Sequence, residues 1–271
     1  DPAPATDNSL RSDAALSRDA LCSRPTGWKR FACDSRALGQ RLLLQEPGDG
    51  WRALGVLATA GGLFAGRVSI RNWVLDHRSE SRTRIYDAAR NLGKGAVTPL
   101  LATALYVTGK LSSNSYHTES AQILAESSIF SGILAVTGQI VLASDRPEDG
   151  RRVRYFSNGG HGISGDVAIA ASVVAPLDRR YMRFRPEDGL GRKIWKTVGR
   201  TGLYAALALT ALQRMDADKH WAPDVFLGAA TGLATGYALC SAHAPEKVAG
   251  AHARRPVILP MVNGVALGWS F

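Results

Sequence analysis

Cysteine is scarce. Three in 271 residues are too few for a disulfide-built scaffold. No Cys-x-x-Cys pair or comparable His/Cys spacing suggests a metal site, so no metal is expected. The start, Asp-Pro-Ala-Pro-Ala-Thr-Asp, has no basic stretch and no apolar h-region. That fits a mature chain whose signal has been removed, or a shortened one, and suggests a periplasmic or secreted protein, with membrane association left open. Basic residues are in excess, with net charge +10 and a pI near 9.9, yet they form no single tract and no nucleic-acid motif. The partners implied are therefore small anions, phosphorylated compounds or an anionic membrane surface, and no nucleic acid. Long apolar runs are also short of what a membrane span needs, about 20 residues. Residues 51–66 are too few, 201–212 fewer still, and 118–143 carries Glu119 and Glu126; mean hydropathy is −0.07. The reading is a soluble helical bundle, with a polytopic membrane protein as the alternative. Oligomeric state is left open.

What is present is helical. Hydrophobic residues make up 45% and charged ones 21%, enough for one sizeable core. Little of the chain alternates with period two, so the fold class is all-α, a bundle of about six core helices. Residues 1–50 read as a polar arm with a short helix at 35–46, closed by Pro47-Gly48-Asp49-Gly50. Residues 51–245 form the helical domain. Its apolar segments are 51–66, 97–111, 118–143, 165–177, 201–212 and 225–242, with an amphipathic stretch at 70–91 that forms one helix or two. Residues 246–271 are a tail in which Asn263-Gly264, between two β-prone stretches, signals a small hairpin. Cys22 and Cys33 flank a short segment; a disulfide between them and two unpaired thiols are both open.

The chemistry gathers in three places. Arg214 is followed by His220 and Asp224, with Gly228, Gly232 and Gly236 beyond. His220 and Asp224 are about one helical turn apart, so carboxylate and imidazole can meet, fixing the ring's tautomer and freeing its other nitrogen. Arg214 adds a fork of donors suited to phosphate oxygens. The glycines share one helix face, where another helix can approach closely. Upstream, the Gly-rich loop Phe156-Ser-Asn-Gly-Gly-His161-Gly-Ile-Ser164-Gly165-Asp166 runs into an apolar helix, whose amino end is a ready anion site. Before it, Gln139 to Arg146-Pro147 ends the long helix.

In order and spacing this resembles the type-2 phosphatidic acid phosphatase family, relatives of class A acid phosphatases and vanadium haloperoxidases. Their motifs run Lys-x6-Arg-Pro, Pro-Ser-Gly-His and Ser-Arg-x5-His-x3-Asp; the likeness covers about residues 90–242. The resemblance implies a phosphatase or phosphotransferase for a phosphorylated lipid, a polyprenyl (di)phosphate or a small phosphate ester. His220 would be the nucleophile, passing through a phosphohistidine, and Asp224 would orient it. Arg146, Arg214, Ser164 and Gly165 would hold the phosphoryl oxygens, with Gln139 as an uncharged donor to them. It implies no cofactor; phosphate or vanadate would bind as an anion.

The departures define the question. Gln139 stands where the family has lysine, Ile163 where it has proline, and Gln213 where it has serine. Asp166 replaces the histidine that protonates the leaving oxygen. Asp166 would then be the acid, or His161 would substitute, though an exposed loop histidine is the plainer reading of His161. The alternative function is a pseudo-phosphatase that binds an anionic headgroup, or an envelope scaffold, without turnover.

Overall fold

The computed structural model describes residues 27–42, 48–91, 94, 96–150, 152–243, 256–261 and 264–269. Among them are nine α-helices: α1 (Trp28–Leu42), α2 (Asp49–Ala65), α3 (Arg67–Asp76), α4 (Glu80–Arg90), α5 (Val97–Leu111), α6 (Ser115–Val141), α7 (Gly165–Leu177), α8 (Leu190–Asp216) and α9 (Ala222–Ala242). A π-helical turn, Asp178–Met182, follows α7. Two antiparallel pairs complete the described chain. One is the ribbon of β1 (Leu142–Ser144) and β2 (Val153–Tyr155); the other is the hairpin of β3 (Pro256–Met261) and β4 (Gly264–Trp269). The fold is an all-α bundle with a small β-hairpin, as its periodicity indicates.

Helix α7 is the axis of the bundle. Its Val167, Ala170, Ala171 and Val174 pack with Leu207 of α8 and Val225 of α9, while Val173 meets Leu124 of α6 and Ala102 of α5. These side chains are small, and the neighbour answers with none. A Cβ at Gly232 of α9 would lie 2.2 Å from the Ala168 carbonyl oxygen and 2.6 Å from the Ala171 Cβ. One at Gly236 would lie 2.6 Å from the Ala175 Cβ. The glycine face seen in the sequence is therefore the seam along which α9 touches α7, and it brings the amino ends of both helices together.

Several elements depart from the sequence reading. The arm's helix starts at Trp28, well before residue 35. Arg30 within it reaches Glu126 on α6, with Nε 2.8 Å from Oε1, while Phe31 stacks on Phe130 and Leu38 joins the core. Helix α8 extends far to the amino side of its apolar run, because Lys196 and Arg200 pair with Asp188 and Asp178, each at 2.5 Å. Arg146-Pro147 does not end a helix: α6 stops at Val141 and β1 intervenes, so the pair lies in the turn between β1 and β2. In the hairpin Gly264 pairs with Met261 and opens β4 rather than sitting in the turn; Asn263 is outside the described residues. Cys33 is disulfide-bonded and Cys240 is free and buried. Cys22 lies outside the described residues, as does most of the 1–50 arm and of the 246–271 tail.

The larger correction concerns the membrane. α6 and α9 are each long and apolar enough to cross one, and α2 with α3, bent by 63° at Gly66, is a third candidate by length and composition. Helix α6 is apolar on its outside. Ser120, Ser127, Ser131 and Ala135 are buried, while Ile129, Ile133, Val136 and Ile140 are exposed along one face. Trp51, Leu54 and Leu57 on α2 and Leu100 and Val107 on α5 are also exposed. Small and hydroxylic residues between helices with large aliphatic ones outside is the arrangement lipid favours over water. The acids that argued against a span are paired: Glu119 with Arg180 at 2.7 Å and Glu126 with Arg30. The protein is membrane-associated.

Candidate active site

The site lies where the amino ends of α7 and α9 meet the carboxyl end of α8. The Gly-rich loop is held against β1 by its backbone. A Cβ at Gly162 would stand 1.9 Å from the Leu142 carbonyl oxygen, and the His161 N–H donates to the Ser144 carbonyl at 2.9 Å. At the end of the loop the Ser164 N–H donates to the Asp224 carbonyl at 3.0 Å, tying loop and α9 together. Gln139, from the last turns of α6, donates through Nε2 to the Ile163 carbonyl at 2.8 Å. It braces the residue before Ser164.

His220 is buried just ahead of α9. Its Nδ1 lies 3.1 Å from the His161 carbonyl oxygen. A carbonyl only accepts, so Nδ1 carries the hydrogen and Nε2 is left with its lone pair. Asp224 stands 3.8 Å from the same Nδ1, an electrostatic neighbour rather than a hydrogen-bond partner. Its Oδ2 instead accepts the Trp221 N–H at 3.0 Å and caps α9. The hydrogen bond on Nδ1 is thus made by the backbone at 161, with the Asp224 carboxylate beside it. Sequence spacing could not show this, because it depends on how the loop crosses α9.

Around His220 stand donors without acceptors. Nε of Arg146, Nε of Arg214 and Oγ of Ser164 are buried and have no hydrogen-bond partner. Ser164 heads α7, whose first N–H groups have no intrahelical acceptor. Arg214 is held below its ordinary pKa, first by burial; Asp166 opposes this, and Arg90 and Arg146 add to it. Asp166 Oδ2 faces Arg214 Nη1 at 3.4 Å and Arg90 Nε at 3.3 Å. Such a cluster of guanidiniums with unused N–H groups at a helix amino end is complementary to a tetrahedral oxyanion.

The structure therefore brings together all nine candidates: His220, Asp224, Asp166, Arg146, Arg214, Ser164, Gly165, Gln139 and His161. Sequence reasoning missed Arg90. It comes from a polar amphipathic helix well upstream, where no spacing rule marks it.

His161 is not simply a surface residue. Its ring stands edge-on to that of His220, with centroids 6.3 Å apart. Burial first, then Arg146 and His220, lower its pKa from the usual 6.5, against Asp149 and Asp224. The folded protein thus prefers the neutral imidazole, whereas the unfolded chain takes a proton below about pH 6.5. This term is fully present above that pH and is lost as the pH falls through the folded-state pKa. His161→Gln, which keeps the backbone carbonyl under His220, is expected to flatten the acid-side fall in stability. Thermal melts in detergent between about pH 7 and pH 5 check this; an unchanged slope contradicts it.

No family model and no curated protein matches the chain. Solved structures do. The chain is similar to the first transmembrane PAP2-type phosphatidylglycerolphosphate phosphatase from Bacillus subtilis, with 13% identity and a TM-score of 0.51, over 69% of this chain and 94% of that one. The fold is that of a PAP2-type phosphatase. A second similar structure is Aquifex aeolicus LpxE, with 19% identity and a TM-score of 0.48, over 65% of this chain and 94% of that one. At such identity the likeness is one of fold. The PAP2 fold agrees with the resemblance drawn from three spaced motifs, and the site above is built from those motifs.

Proposed function

We propose that the chain is a membrane phosphatase that removes a phosphoryl group from a phosphorylated lipid, or from a polyprenyl (di)phosphate, through a phosphohistidine. The observation that carries this is His220, its Nδ1–H bound to a backbone carbonyl and its Nε2 free, beside two buried arginine Nε donors and a serine hydroxyl that have no acceptor. The PAP2 fold and the apolar outer face support a lipid substrate.

In this reading the Nε2 lone pair attacks phosphorus in line, the ester P–O bond breaks, and the leaving alkoxide takes a proton. Water then cleaves the P–N bond, giving inorganic phosphate and restoring His220. Arg146, Arg214 and the α7 amino end hold the equatorial oxygens, where charge builds in the transition state. In this reading Asp166 or His161 passes that proton. The disulfide at Cys33 fits an oxidising compartment, in line with a periplasmic location.

A second reading has one observation behind it. At position 166, where a proton donor is wanted, the carboxylate is engaged by two guanidiniums. A pocket that binds an anionic headgroup without turnover would look the same. The experiment is hydrolysis of p-nitrophenyl phosphate, phosphatidic acid and a polyprenyl diphosphate by the detergent-solubilised chain from acid to mildly alkaline pH. No turnover of any of them, with phosphate still bound, selects the second reading.

Asp224 gives a graded test. Asp224→Asn keeps an acceptor for the Trp221 N–H but removes the charge near His220. Turnover is expected to fall about tenfold to a hundredfold, as for losing a partly screened charge 3.8 Å from the ring. Asp224→Ala also loses the α9 cap, about 1 kcal/mol of stability, which thermal melts would show. Full activity in Asp224→Asn would remove Asp224 from the mechanism.

A further inference from the structure

Gln139 cannot supply the charge that its position carries in related motifs. It has none, and its amide nitrogen is engaged by the Ile163 carbonyl. The pocket nevertheless holds a third guanidinium, and the surrounding contacts show how it is delivered. Helix α4 is docked along α8 by three hydrogen bonds. Thr83 Oγ1 donates to Asp216 at 2.9 Å, Gln213 Nε2 donates to Asp87 Oδ1 at 2.8 Å, and Thr210 Oγ1 donates to the Ala89 carbonyl at 3.0 Å. The first anchors the start of α4, and the other two, Gln213 included, fix its last turn. That turn ends in Arg90, whose Nε reaches Asp166 Oδ2 at 3.3 Å across a separation of 76 residues.

We propose that Arg90 is the third cation of the anion seat, replacing the charge missing at Gln139, and that Asp166 is the internal counter-ion an incoming phosphate must displace. Three of the four departures then belong to one arrangement. Gln139 keeps only the bracing role, Gln213 docks the helix that brings Arg90, and Asp166 stands between Arg90 and Arg214. The charges agree: Arg90 and Arg146 both lie near enough to act on Arg214, and Asp166 is the carboxylate bridging Arg90 and Arg214. Glu148 faces Arg146 only at 3.8 Å and is taken up by Lys219 at 2.6 Å. An oxyanion entering this pocket meets three guanidiniums, and the opposing charge nearest them is the one carboxylate that shares their hydrogen-bonding groups. This proposal rests on the anion-site reading above, and not on turnover.

The test is phosphate binding, read by calorimetry on the full chain in detergent at neutral pH. Arg90→Gln is expected to weaken phosphate binding about 10- to 100-fold, the loss of one charge-assisted contact. Arg90→Lys should recover most of it. Asp166→Asn should bind phosphate several-fold more tightly than the parent, because the internal competitor is gone. Equal affinity in parent and Arg90→Gln overturns the role of Arg90. Weaker binding in Asp166→Asn overturns the counter-ion. A parent chain that binds no phosphate overturns both, together with the phosphatase reading. A parent that binds but does not turn over overturns only the phosphatase. If Arg90→Gln fails to fold, Arg90→Met tests the same loss of charge, and Asp166→Asn, which keeps all three guanidiniums, decides the counter-ion.

Discussion

His220→Asn is expected to lower phosphate-ester turnover by about a thousandfold or more while leaving phosphate affinity within a few-fold of the parent. The asparagine amide nitrogen can sit where Nδ1 now sits, 3.1 Å from the His161 carbonyl, so the loop and α9 stay joined. What is lost is Nε2, the atom with a free lone pair. The arginines, the Ser164 hydroxyl and the α7 amino end are untouched, so the ground-state anion should bind as before. A loss of this kind falls on kcat rather than on binding. The intermediate gives a second readout. Brief incubation of the parent with a radiolabelled substrate should trap an acid-labile, alkali-stable phosphoryl group on the protein, absent from His220→Asn. Turnover above about a tenth of the parent's would show that His220 is not the nucleophile.

Gly232→Leu is expected to prevent the bundle from assembling. Even a methyl group there would overlap the Ala168 carbonyl oxygen, at 2.2 Å, and a backbone atom in mid-helix cannot turn aside as a flexible side chain can. Overpacking of a well-filled contact costs about 1 to 3 kcal/mol for small additions; the alanine's better helix propensity returns up to about 1 kcal/mol. Gly232→Ala should therefore be destabilised by about 1 to 2 kcal/mol net, and leucine, which must push α7 and α9 apart, should not fold. Gly202 on α8 is the control. It is exposed with nothing near its Cβ direction, so Gly202→Ala should gain about 0.5 to 1 kcal/mol. Thermal unfolding in detergent measures all three. Equal effects at 202 and 232 would mean that the α7–α9 seam is not close-packed.

The two substitutions probe different levels of the same arrangement. The seam is legible as a repeat of glycines every fourth residue, and the nucleophile as a histidine with an acid one turn later. Yet the seam is also what places Ser164 against Asp224, and so sets the loop whose carbonyl, not the Asp224 carboxylate, holds His220. Local spacing identified the residues; it did not show the His161 carbonyl on the His220 Nδ1, because a through-space backbone contact leaves no mark in a spacing.

The preference for a soluble bundle over a membrane protein had a related cause. Counting acids along 118–143 treats each as a cost, but Glu119 and Glu126 meet Arg180 and Arg30 from other helices. A paired charge between helices is a different object from a charge facing lipid. The outward face of α6, with Ile129, Ile133, Val136 and Ile140, could be recognised only once burial showed which face is inside.

By itself, then, the sequence determined the helical class, the hairpin, the glycine seam and nine residues of the site, because periodicity and short motifs are properties of neighbours along the chain. Only the tertiary structure showed that Arg90 meets Asp166, that Gln139 holds the Ile163 carbonyl, that Gln213 docks α4, and that three serines of α6 face inward. These are contacts between segments tens to more than a hundred residues apart. Their energies come from charges and unfilled hydrogen bonds meeting in space, which no local pattern encodes.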